Sequence, residues 1–177
     1  NALKTAVYKL RAVLPDGLIE LRSRQLYVLN RNVVEIDDDS KQFLALLDSP
    51  DDAERLFAAI ELYRGPYLPW SENTWCIVRR QYLEQQYIQA LRRTAKHSEE
   101  SQAYLDALML YQRLLAIDGL DEAAHAGVMR CYLQVGNRAA AIQQYIQLGQ
   151  RLDEELGLGI DRTSEIEQLY TSILAAS

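Results

Sequence analysis

"ALMLYQRL", residues 107–114, and "AIQQYIQL", residues 141–148, carry Ala, Tyr and Leu at the same three positions, 34 residues apart. The match runs out at Gly119, where the second copy has Asp153. A period of that length fits one helix pair. Ala lets the two helices of a pair approach closely. Tyr and Leu then fill the groove toward the next pair, so each unit is completed by its neighbour. Helical apolar patterns at about 101–117, 121–135, 138–156 and 164–175 surround the two copies, and the short links between them imply antiparallel neighbours. Ser164-Glu165-Ile166-Glu167 has the spacing of a capping box at the start of the last helix.

Strand signals are absent from residue 37 onward. Asp37-Asp38-Asp39-Ser40 offers N-caps for a short helix, "KQFLALL", and Ser49-Pro50-Asp51-Asp52 starts another with Leu56, Ala59, Ile60 and Tyr63 on one face. A longer helix, capped by Ser71 or Asn73, runs to about His97 on a stripe of Trp75, Val78, Tyr82, Leu83, Tyr87, Leu91 and Ala95. Between these two helices lies "LYRGPYLPWSENTW", residues 62–75. Gly65 suits the left-handed residue that ends a helix, here at Arg64, and Pro66 cannot continue one. Tyr67 and Trp70 are too apolar for a free linker, so the segment reads as a tucked-in structural corner with both rings largely buried. The other reading of Trp70 and Trp75 is a ligand pocket.

The N-terminal residues differ in kind. "LKTAVYKLRAVL", residues 3–14, sets Leu3, Val7, Leu10 and Leu14 on one helical stripe. Pro15-Asp16-Gly17 is a turn, and Ile19, Leu21, Tyr27 and Leu29 alternate with polar positions around a basic Ser23-Arg24 tip, the pattern of a hairpin. Residues 1–36 hold six Lys/Arg against three Asp/Glu, a net of +3, while the rest of the chain holds 13 basic against 22 acidic residues, a net of −9. A basic head on an acidic body suggests that the head alone meets nucleic acid. A helix and hairpin of this size cannot bury their own stripe, and Leu3 already lies inside a helical pattern. The chain therefore reads as a piece of a longer protein.

The pattern offers little to an enzyme. His97 and His125 are far apart; His97 ends a helix, where a cation suits the dipole, and His125 falls at a packing position. There is no glycine-rich phosphate loop, H-E-x-x-H or G-x-S-x-G, so no catalytic residue, metal ligand or cofactor is assigned. The acid pairs Glu99-Glu100 and Glu154-Glu155 read as solvated helix faces. No apolar run approaches the roughly 18 residues that span a bilayer. Cys76 and Cys131, without metal-ligand spacing, read as buried free thiols of a cytoplasmic protein.

"ELYRGPYLPW", the long helix with "RRQYLEQQYIQAL", the 34-residue period and "LDEELGLGI" followed by "IEQLYTSIL" resemble the bacterial transcriptional activator domain, a tetratricopeptide-like domain of SARP-type regulators. The resemblance covers about residues 37–175, and "LYRG" with "EELG" are its clearest signatures. Residues 3–29 resemble the end of an OmpR-type winged helix-turn-helix, with "LKTAVYKLRAVL" as recognition helix and "ELRSRQLYVL" as wing. The expected fold is mainly α: a tetratricopeptide-like array of antiparallel helix pairs over residues 37–177, preceded over residues 1–36 by the recognition helix and β-hairpin wing of a truncated winged helix. Gln25 stands where such wings often carry Gly, and Ile160 where Pro often follows "ELG".

The resemblance implies a DNA-binding transcriptional regulator, with no enzymatic activity, acting with RNA polymerase or another regulatory protein, as a monomer or a homodimer. Thr5, Tyr8 and Lys9 would face the groove of DNA, Lys4 and Arg11 the phosphates, and Arg22 and Arg24 would be wing contacts. A protein-binding scaffold without a DNA role is the alternative, and the basic helix and hairpin speak against it. In such arrays the first helix of each pair lines a concave groove. Units starting at Ile88 and Glu122 place Gln89, Arg92, Lys96 and Arg130 there, suited to an acidic peptide or a carboxylate unless they pair with Glu99, Glu100 or Asp121 or face water.

Overall fold

The computed structural model describes residues 2–24, 26–30, 32–33, 38–48 and 52–175. Asn1, Gln25, Arg31, Asp37 and the Ser49-Pro50-Asp51 stretch lie outside them. The chain divides into two compact units, Asn1–Asp38 and Asp39–Ser177.

The first unit holds helix α1 (Ala2–Arg11) and strands β1 (Ile19–Ser23) and β2 (Leu26–Leu29). The strands pair antiparallel with Ile19 opposite Leu29 and Leu21 opposite Tyr27, the register that the alternation requires. Of the α1 stripe only Val7 is buried; Leu3 and Leu10 stay exposed, as expected of a unit too small to cover them.

The second unit is all helical among its described residues: α2 (Asp39–Leu47), α3 (Ala53–Leu62), α4 (Thr74–Glu100), α5 (Tyr104–Ile117), α6 (Glu122–Gln134), α7 (Arg138–Leu156) and α8 (Glu165–Ala175). Each helix packs on the next, and α8 also returns to α6. The boundaries have local causes. Asp52, Asp121 and Asn137 accept the backbone N–H of Arg55, Ala124 and Ala140, capping α3, α6 and α7. Gly157 takes the left-handed conformation that ends α7, and Leu158 N–H closes back on Leu152 O, which explains the "EELG" signature. Ser164 Oγ accepts from Glu167 N–H at 3.4 Å, half of the expected capping box.

The repeat positions form the core. Ala107 and Ala141 are fully buried, and so are Leu114 and Leu148. Tyr111 lies flat against α6, where a Cβ on Gly127 would come within 2.4 Å of its ring. Cys76 and Cys131 are buried and unbonded, and burial raises the Cys131 thiol to about 11.

Four expectations are overturned. Helix α3 stops at Leu62, capped by an extended Tyr63, not at Arg64. Gly65 has φ +149° rather than a helix-ending conformation, and the left-handed residue of the corner is Leu68, φ +41°. Trp70 is 80% exposed and only Tyr67 tucks in, because the shape of this turn leaves the indole outside the core cluster of Phe43, Ala59 and Leu83 that Tyr67 joins. The first half of the α4 stripe also faces outward. Trp75, Val78 and Tyr82 are exposed, and the core side of those turns belongs to Cys76 and Leu83. Apolar spacing alone does not distinguish the two faces of a helix whose start is covered on one side only.

Candidate functional site

The expected nucleic-acid face lies on the first unit. Lys4, Thr5, Tyr8 and Lys9 are exposed on α1, with Tyr8 78% exposed. Arg22 and Arg24 are exposed at the hairpin end. Arg11 has a structural bond as well: its guanidinium donates to Ile19 O at 2.6 Å, tying α1 to β1.

The groove is built by the first helix of each successive pair. Arg92, Lys96 and Glu99 come from α4, Arg130 from α6 and Glu165 from the start of α8, around a cavity of about 540 Å³. Its floor is apolar, with Tyr104, Leu114, Ala123 and Ala124. Gln89 lies in an adjoining cavity that shares Arg92.

Every expected cation in the groove has an anionic partner. Arg130 grips Glu99 with two bonds, Nε to Oε1 at 2.5 Å and Nη2 to Oε2 at 2.9 Å, and its Nη1 reaches Glu165. Tyr111 Oη donates to the same Glu99 carboxylate at 2.8 Å. Burial by itself would raise the Glu99 carboxyl, but the bonds from Arg130 and Tyr111 and the Arg130 charge outweigh it and hold it below the usual value. Burial and the Glu99 bond push the Tyr111 phenol upward. Arg92 meets Asp121 at 2.6 Å, and that same Asp121 caps α6. Lys96 lies 3.8 Å from Glu100 on the exposed rim.

Glu99 is therefore not a solvated acid, which corrects that expectation. It anchors a line of charge, Glu99–Arg130–Glu165, across α4, α6 and α8. Sequence reading missed Glu165 and the Tyr111 hydroxyl. The partners lie 31 and 35 residues from Arg130, close to one repeat period in either direction, and that spacing was the available signal. The site can present an apolar floor between balanced charges.

His125 is buried with both ring nitrogens engaged. Its Nε2 faces Gly119 O at 3.1 Å and its Nδ1 faces the Gln144 amide at 2.5 Å. A carbonyl only accepts, so Nε2 carries the proton and Nδ1 accepts from Gln144. Burial first, then the Arg151 charge, lower its pKa against the opposing Gly119 bond. This is a core histidine, as its repeat position implied.

Among the described residues no helix is long and apolar enough to cross a membrane. Residues 38–174 match the family model of the bacterial transcriptional activator domain. No curated protein matches the chain.

Proposed function

We propose that this chain, which belongs to the bacterial transcriptional activator domain family, is a DNA-binding transcriptional regulator of the SARP type whose helical array contacts a protein partner. The family is regulatory, not enzymatic. The observation that carries the DNA role is the basic unit beside the family domain. Helix α1 offers Thr5, Tyr8 and Lys9 to base edges and Lys4 and Arg11 to phosphates, and the hairpin adds Arg22 and Arg24 as wing contacts.

The test needs no known promoter. Binding of the chain to a mixed-sequence DNA duplex should be weak and steeply salt-dependent. Lys4→Ala, Lys9→Ala, Arg22→Ala and Arg24→Ala together should lower the slope of log K against log salt by about 0.9 for each phosphate no longer neutralised. Absence of low-salt binding, or an unchanged slope in the quadruple variant, would remove the DNA role and leave a protein-binding scaffold.

The array's partner face is the groove that holds Arg92, Lys96 and Arg130 together with the adjoining cavity of Gln89, and its occupant is RNA polymerase or another regulatory protein. Because Arg92 and Arg130 are held by Asp121 and Glu99, the rim residues Gln89 and Lys96 are the ones free to vary without breaking the fold. Gln89→Glu with Lys96→Glu should reduce transcriptional activation while helicity and DNA binding stay unchanged. Full activation by that variant would move the partner to another face.

A further inference from the structure

We propose that the corner between α3 and α4 is a preformed binding site for an apolar, ring-bearing small molecule, with Trp70 as its outer aromatic face. The corner encloses a cavity of about 450 Å³. That volume falls in the usual range for small-molecule sites, which are mostly apolar with a few polar groups at the edge. Phe43 from α2 and Leu83 from α4 form a wall that is itself core, 2% and 3% exposed. Tyr63 and Tyr67 flank it, and Trp70 stands at the mouth.

Two features set this segment apart from a simple link. Arg80 donates to three carbonyls of the turn: Tyr67 O at 2.8 Å, Leu68 O at 2.5 Å and Ser71 O at 2.9 Å. Leu68 takes a left-handed conformation that a side chain with a Cβ disfavours. Joining α3 to α4 requires neither a strained leucine nor a triple clamp. Together they hold one turn shape, and the product of that shape is an indole kept at the cavity mouth and out of the core. The inner ring is fixed too. Tyr63 stacks on Tyr87 with centroids 4.1 Å apart and packs against Phe43 at 5.8 Å.

The chemistry of the walls selects the ligand class. Arg80 occupies carbonyls of the turn, and apart from Asp39, Ser40 and Arg64 the lining residues are aromatic, aliphatic or glycine. Asp39 and Arg64 add one charge of each sign to the lining, and so favour no net ligand charge. A flat ring system would stack on Trp70 and bury its edge against Phe43 and Leu83. This site is separate from the groove, with which it shares no lining residue.

The experiment uses the whole chain with Trp75→Phe, which leaves Trp70 the sole tryptophan, since the sequence has two. The probe is N-phenyl-1-naphthylamine, uncharged like the ligand class proposed, and it is displaced by 2-naphthol. The expected result is saturable one-site binding that quenches Trp70 emission, with 2-naphthol competing. In the parent chain, Trp70→Ala should weaken probe binding about tenfold, equivalent to about 1.4 kcal/mol, and being exposed it should leave helicity intact. Arg80→Gln should weaken binding as well by freeing the turn. Equal affinity in Trp70→Ala, unsaturable binding, or no response of Trp70 emission would overturn the proposal. The last result is also the one expected if the corner receives only a side chain of a partner protein.

Discussion

The repeat and the corner are both rich in aromatic and apolar residues, and they end up opposite in exposure. Ala107, Leu114, Ala141 and Leu148 lie in the core, whereas Trp70 is 80% exposed at the end of the corner. A repeat residue inherits its surroundings, because helices before and after it recur at the same spacing. A loop residue inherits nothing of the kind. Its direction follows from individual dihedrals, here Leu68, and from a single distant side chain, Arg80. Even within the repeat, equivalence stops at the backbone. Tyr111 lies over Gly127 and binds Glu99, while Tyr145 stacks on Tyr170 at 3.9 Å and binds Glu167. The same residue in the same register serves the groove in one unit and the final helix in the other.

The contrast can be broken first at Gly127. A methyl there meets the Tyr111 ring, which is backed by the core and cannot yield, so Gly127→Ala should destabilise by about 3 kcal/mol in chemical denaturation. A neutral result would show that the two helices separate easily and that the repeat packing is loose.

The two tyrosines should then differ. Tyr111→Phe removes a bond to a half-buried carboxylate that also anchors Arg130, and should cost about 2 kcal/mol; Tyr145→Phe, at a more open position, should cost about 1 kcal/mol or less. Equal losses would mean that the groove network adds nothing to the first unit.

His125 gives the repeat a pH signature. Its folded pKa lies below the usual imidazole value of about 6.5. Its contribution is complete above that unfolded value and is lost as pH falls through the folded one, because protonation removes the acceptor that Gln144 uses. Denaturation midpoints should therefore fall between about pH 7 and pH 5 more in the parent chain than in His125→Gln. Parallel midpoints across that range would place the acid sensitivity elsewhere.

The smallest effect belongs to the corner. Trp70→Ala should change stability by no more than about 0.5 kcal/mol, as for an exposed side chain without partners in the core. A loss of several kcal/mol would restore the buried corner that the loop's composition suggests.

Much of the second unit was legible because its signals are local or periodic. The Asp52 cap, the half capping box at Ser164, the buried repeat residues and the free core cysteines follow from patterns spanning one turn or one helix pair. The candidate groove was legible as far as position: Arg92, Lys96 and Arg130 do share a cavity, since helix register decides which face a residue occupies. What register leaves open is the partner of a long side chain. The capture of Arg130 by Glu99 and Glu165, and of Arg92 by Asp121, depends on how far helices from separate pairs are set apart.

By itself, then, the sequence determined the helix pairs and the repeat residues that fill the core between them, because each rests on apolar spacing within one or two helices. Only the tertiary structure decided that the groove's cations are already paired and that Trp70 points outward. Both depend on a few ångströms between segments distant in the chain: the reach of Arg130 across three helices, and the grip of Arg80 on a turn 9 to 13 residues before it.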